Sequence, residues 1–235
     1  MQVCWFLTCH SSTETGAADP LTASELECLQ QLLVQTPGLS ELRLHTPGAA
    51  DDPMLDDGAP PVLTVQLFFD DVAVLEQALA PDGYLQQLAS FEPVARFEAS
   101  QQTMLVRAYP VAGQTLPDSS RQVYCTYLVC YEGPAQDTAA WLWHYLNGHP
   151  QLMAQLPGIR HIEIYSRLDW CGSLPWPRAD AMQRNQVVFS SGQALTAALQ
   201  TPLRAQMREH FQDLPAFSGG VTHFPVNSIR QLASG

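Results

Sequence analysis

Apolar positions along this chain follow two periods, and the period switches at regular intervals. The chain opens on a β-branched and aromatic run, "VCWFLTC", which reads as a strand. The next segment, "LTASELECLQQLLVQ", has helical spacing and begins with Thr22-x-x-Glu25, the pattern of a capping box. Pro37-Gly38 stops that helix, and "LSELRLHT" alternates as a second strand. A third strand, "VLTVQLFF", leads into a second helix over residues 72–90, and a last strand closes the series. The predicted order is βαββαβ.

The same series is then written again. With a shift of 120 residues, Leu26 falls on Leu146, Leu32 on Leu152, and Pro37-Gly38 on Pro157-Gly158. Gln66 and Phe69 fall on Gln186 and Phe189, and Phe91 and Phe97 on Phe211 and Phe217. A period this long means two copies of a domain, not a solenoid. The expected organisation is a first unit at 1–110, a Pro-, Gly- and Ser-rich linker at 111–121, and a second unit at 122–235. The second copy's helices are expected at 138–156, behind Asp137, and at 192–213. The fold class is α+β, two tandem ferredoxin-like units forming a pseudo-dimeric α/β barrel.

Strand parity selects candidate chemistry. In "IRHIEIYS", Ile162 and Ile164 share one face while His161, Glu163 and Tyr165 share the other. In "LSELRLHT", Leu42 and Leu44 oppose Glu41, Arg43 and His45. Helices must cover the apolar face, so the polar sets point between the two sheets. They could line a cavity there, tie the halves together, or do both. His149 lies on the apolar stripe Leu142, Tyr145, Leu146, His149, Leu152 and Leu156, and its counterpart in the first copy is Leu29. It is either a core histidine satisfied by a backbone carbonyl or a cavity-edge acid–base group near its ordinary pKa of about 6.5. The long loop "RLDWCGSLPWPRADAMQRN" carries Trp170 and Trp176 as a candidate lid. Its counterpart, "PGAADDPMLDDGAPP", is acidic and reads as a solvated, mobile loop.

The stretch "WLWHYLNGHPQLMAQLPGIRHIEIY", with "VVFSSGQALTAAL" after it, resembles the EthD-like branch of the dimeric α/β-barrel superfamily. The resemblance covers about 100 residues of the second copy, and reaches the first only through the internal repeat. It implies two sheets face to face around a central cavity, and His149 matches the histidine of the family motif. It also implies relatives that are lactone isomerases, cyclases, decarboxylases and monooxygenases.

Composition narrows the chemistry. The net charge of −12 speaks against a nucleic-acid or anionic-membrane partner, and no run of eighteen apolar residues occurs. Cytoplasmic residence is the default, since the N-terminus has no basic n-region. All eleven cations are arginines, which removes Schiff-base, pyridoxal phosphate and P-loop lysine chemistry. His144 and His149 stand about 140° apart on a helix, and the cysteine pairs five residues apart point to opposite strand faces, so no metal is expected. The six thiols read as buried and structural.

The expected function is a cofactor-free enzyme of isomerase, lyase or decarboxylase type. His149, His161 and Glu163 would move protons on a small apolar or aromatic molecule, bound by Tyr165, Arg43, His45, Trp170 and Trp176. A non-catalytic binding or accessory protein is the alternative. A haem barrel using His149, His144 or His210 is a third reading. The chain would be a monomer with an internal pseudo-dimer, or a homodimer through its outer surfaces.

Overall fold

The structure, a computed structural model, describes residues 1–11, 19–116 and 122–233, so part of the expected linker lies outside the described residues. The elements of the first half are β1 (Val3–His10), α1 (Ala23–Val34), β2 (Glu41–Pro47), β3 (Leu63–Phe69), α2 (Val72–Leu79), α3 (Gln86–Ala89), α4 (Glu92–Ala95) and β4 (Glu98–Pro110). Those of the second half are β5 (Tyr124–Tyr131), α5 (Thr138–Met153), β6 (Ile159–Arg167), β7 (Gln183–Phe189), α6 (Gly192–Leu199), α7 (Pro202–Gln212) and β8 (Val221–Leu232).

Local chemistry sets most of these ends. Thr22 and Glu25 form the capping box of α1 in both directions, and the Asp137 side chain accepts from Ala140 N at the start of α5. Gly38 and Gly158 take φ of 73° and 76°, where a side chain would be strained. The expected second helices are each broken. Pro81 follows α2, and Gly83 turns so close that a Cβ would meet the Ala78 oxygen at 2.4 Å. Pro202 stands in the first turn of α7, where its missing N–H costs nothing, and so separates α7 from α6. By contrast α5 runs through Gly148 and Pro150 without a break.

Among the described residues, eight antiparallel strands close a barrel in the order β1-β3-β2-β8-β5-β7-β6-β4. The halves join where β2 pairs with β8 and where β4 pairs with β6, so one chain closes the barrel. Each strand faces two layers. Outside, Trp5, Leu29, Leu33, Leu67 and Leu75 belong to one helix-covered core, and Tyr131, Trp141, Tyr145, Ile162 and Ile164 to another. Inside the barrel, Cys4, Phe6, Phe68, Met104 and Tyr165 pack together. Cys4 and Cys9 thus lie on opposite faces, whereas Cys28 and Cys171 are exposed, not buried. No described helix is long and apolar enough to cross a membrane.

The long loops exchange sides. The Trp170–Trp176 loop belongs to the second half by sequence but seals the first. Ser173 N donates to Leu79 O (3.0 Å), Cys171 N donates to Glu76 (2.8 Å), and Leu174 enters the first core. In return the acidic loop of the first half crosses to the second. Asp52 and Asp57 tie it there to Tyr127, Arg204 and His223, while none of residues 47–60 is fully buried, in keeping with a solvated segment.

Candidate functional site

The polar faces of β2 and β6 meet in the barrel interior, where their side chains bind one another. Arg43 makes a bidentate pair with Glu163, with Nη2–Oε1 at 2.9 Å, and a further bond to Glu41. Arg230 donates to the other oxygen of Glu41 (2.6 Å). Tyr165 OH donates to Glu163, and His161 Nε2 lies 2.8 Å from the same carboxylate. Gln66 Nε2 donates to Tyr165 OH (3.0 Å), and His45 bridges Gln66 Oε1 (2.6 Å) and Ser228 Oγ (2.7 Å). Two carboxylates and two guanidiniums balance in this network. Burial would push the Glu163 carboxyl up, but Arg43 and His161 overcome it and hold it well below the usual carboxylate range.

This arrangement sets the expected site residues against one another. His161, Glu163, Tyr165, Arg43 and His45 line neither cavity described here; they are consumed by one another. Trp170 and Trp176 also line neither, because their loop packs on the first half's core, with Arg178 4.1 Å above the Trp170 ring. Of the expected residues, His149 alone opens on the helix–sheet cavity, and it lies in a different layer from Glu163.

That space is a cavity of about 330 Å³ between strands β5, β7 and β8 and helices α5, α6 and α7. Its walls are chiefly apolar, including Val129, Met153, Val187, Phe189 and Leu195. The corresponding layer of the first half is filled, with Leu29 and Leu33 fully buried and Leu174 nearly so. Polar groups converge on the cavity from several elements. Tyr145 stacks on Trp141 (5.1 Å) and accepts from Asn185 Nδ2. His149 lies 4.7 Å from the Tyr145 ring, with its Nδ1 3.2 Å from His210 Nδ1. Gly148 makes that approach possible, since a Cβ there would meet His210 Nε2 at 2.0 Å.

The crossing loop completes the cavity. Asp52 accepts from Tyr127 OH (2.7 Å) and from Arg204 (2.9 Å), and Leu55 joins the lining. Asp57 accepts from the backbone N of His223 (2.8 Å) and lies 2.9 Å from its Nδ1. A carboxylate on Nδ1 fixes the neutral imidazole proton there, leaving Nε2 with its lone pair. Burial lowers the His223 pKa while Asp57 raises it. His149 is lowered to about 3, by burial first and then by His210, so it is a neutral imidazole and not a group near 6.5.

Sequence reasoning missed Asp52, Asp57, Tyr127, Asn185, Arg204 and His223. One signal was present: Tyr127 and Tyr131 share the helix-facing parity of β5, so hydroxyls had to find partners in an apolar layer. Asp57 carried no local signal, because its partner lies 166 residues away.

The haem reading does not fit these residues. A cavity of about 330 Å³ is too small for a porphyrin, and the imidazoles of His149 and His210 face each other. Among the described residues, no group of three His, Cys, Asp or Glu is arranged to hold a metal ion.

The buried histidines carry a pH signature. Burial, chiefly, lowers His45 to about 4, so both it and His149 are neutral in the fold. The unfolded chain binds more protons below about pH 6.5, so this stability is complete above that value and is lost as pH falls. The urea midpoint should decline between pH 7 and pH 4, with His45 contributing roughly 3 kcal/mol of the loss. His45→Gln should flatten that slope. An unchanged midpoint across the interval would mean that His45 is charged in the fold.

Fold and cavity together define a class: a closed α/β barrel with a mostly apolar cavity between helices and sheet. Comparison with solved structures shows that the chain shares its overall fold with other proteins at low sequence identity. It resembles an anthrone oxidase-like protein over all of this chain and 94% of that one, at 14% identity and a TM-score of 0.66. It also resembles a monooxygenase-like protein of Fusobacterium nucleatum subsp. nucleatum ATCC 25586 (9% identity, all of this chain and 95% of that one, TM-score 0.59). A similar protein of Lactobacillus acidophilus NCFM aligns over 99% of this chain and 97% of its own, at 9% identity and a TM-score of 0.55. No family profile and no curated protein matches the chain.

Proposed function

We propose that this chain is a small-molecule enzyme that acts without a cofactor, by proton transfer, on a small apolar or aromatic molecule held in the helix–sheet cavity of its second half. The carrying observation is His223, paired with Asp57 behind it, lining a mostly apolar cavity. In this reading the chain is a duplicated ferredoxin-like protein with units at 1–110 and 122–235. The second unit keeps the cavity, and the first lends the loop that completes it. A barrel closed within one chain needs no second copy to form the site, which supports a monomeric unit. His223 acts as the base through Nε2, oriented by Asp57, and the neutral imidazole of His149 positions the ligand from the opposite helix. Tyr145 and Asn185 supply hydrogen bonds to an oxygen on the ligand. The fold shared with monooxygenase-like and anthrone oxidase-like proteins supports an organic ligand of this kind.

The test is exchange of an activated ligand hydrogen with solvent. Phenols, anthrone-like ketones, lactones and β-keto acids are incubated with the protein in D2O and followed by proton NMR. One class should lose its acidic C–H signal faster with protein than without. Saturable binding without any catalysed exchange or conversion would replace this reading with that of a non-catalytic binding protein.

A further inference from the structure

The larger cavity, about 920 Å³, is the barrel's own mouth, formed where β1 and β5 end and β7 and β8 begin. The polar network around Arg43 and Glu163 lies deeper in the barrel, and Phe6 seats against Tyr165 at 4.9 Å to form part of the floor. Apolar wall comes from Phe6, Leu128, Met182 and Phe224. Above that floor stands Arg184, partly buried, with its guanidinium carbon 5.0 Å from the Phe6 ring. Nη1 reaches Thr8 Oγ1 only at 3.4 Å, and Nε is buried without a hydrogen-bond partner. Among the described residues, no carboxylate forms an ion pair with Arg184. Arg43, Arg230 and Arg167, in contrast, all have carboxylate partners.

A half-buried guanidinium with no counter-charge has lost hydration without recovering it. The carboxylates of this cavity do not compensate, for Glu132, Asp169 and Asp180 are all exposed at its rim. Glu132 is already taken by Gly220 N, and Asp180 by Arg167. The mouth is therefore cationic at depth, apolar on its walls and acidic at its edge. A rim of that sign disfavours polyanions such as nucleotide phosphates, while a single carboxylate on a flat apolar body suits all three zones.

We propose that the barrel mouth is a second ligand site, adjoining the helix–sheet cavity at Val129 and Asn185 but centred on Arg184, that takes a small aromatic carboxylate. Its carboxylate sits on Arg184 beside Thr8, where a guanidinium offers two parallel N–H donors, and its ring lies against the apolar wall.

Benzoate and its neutral isostere benzamide are the probes, titrated by NMR and calorimetry at ~0.15 M salt. Benzoate should bind saturably and at least tenfold more tightly than benzamide, about 1.4 kcal/mol. Transferred nuclear Overhauser effects should run from its ring to Phe6 and Phe224. Arg184→Gln should remove the preference, while His149→Ala, in the other cavity, should leave it intact. Equal affinities for the two probes would overturn the site, and the wild-type comparison stands even if Arg184→Gln folds poorly. Benzoate displaced by His149→Ala but unaffected by Arg184→Gln would assign the anion to the helix–sheet cavity and also refute the proposal.

Discussion

Glu163→Gln should unfold at markedly lower denaturant concentration than the wild-type chain, a loss of about 3–5 kcal/mol. The substitution keeps the shape and removes the charge that faces Arg43. Arg43 is only 2% exposed, and its guanidinium stacks 4.4 Å above the Phe68 ring. With Glu163 neutral, two buried guanidiniums would share the single charge of Glu41. Tyr165 and His161 would each lose a charged acceptor as well. Arg43→Met should cost a similar amount, and the double variant much less than the sum, because the two residues mainly satisfy each other. Turnover of the proposed reaction, measured where the variant is still folded, should not change. Full stability with abolished turnover would return Glu163 to the active site and sink the structural reading.

His223→Ala should lower kcat/KM by about 10²–10⁴-fold, the usual contribution of a general base. Asp57→Asn is the more telling variant. It removes the group that raises the His223 pKa against burial, so the base should titrate at lower pH. The acid limb of the kcat/KM profile should then move down in pH, together with a fall in rate from the lost orientation of Nε2. Stability should fall by only about 0–1 kcal/mol, since the Asp57 side chain is 19% exposed and its pairing partly solvated. A purely structural pairing would give the opposite pattern, a lower melting temperature with an unmoved profile.

Much of the scaffold was legible in the sequence. Alternation in β6 was enough to set Ile162 and Ile164 against the helices and Glu163 and Tyr165 inside the barrel, because a strand's side chains have only two directions. The capping box at Thr22 and the glycines at 38 and 158 are local devices, readable within a few residues. The exchange of His149 for Leu29 at the same place in the two halves also marked the second half as the one with polar chemistry beneath its helices.

What alternation could not tell was whether the inward face encloses a hole. That depends on the summed volume and pairing of side chains from eight strands, and here Arg43, Glu163, Glu41 and Arg230 fill the middle with matched charge. Nor could it tell where the long loops go. The anchors of the acidic loop were not legible because its partners, Tyr127, Arg204 and His223, lie on other elements far along the chain. A local pattern determines which way a side chain points. Only the closed barrel, by bringing Asp57 against His223 at the wall of the 330 Å³ cavity, decided what it meets there.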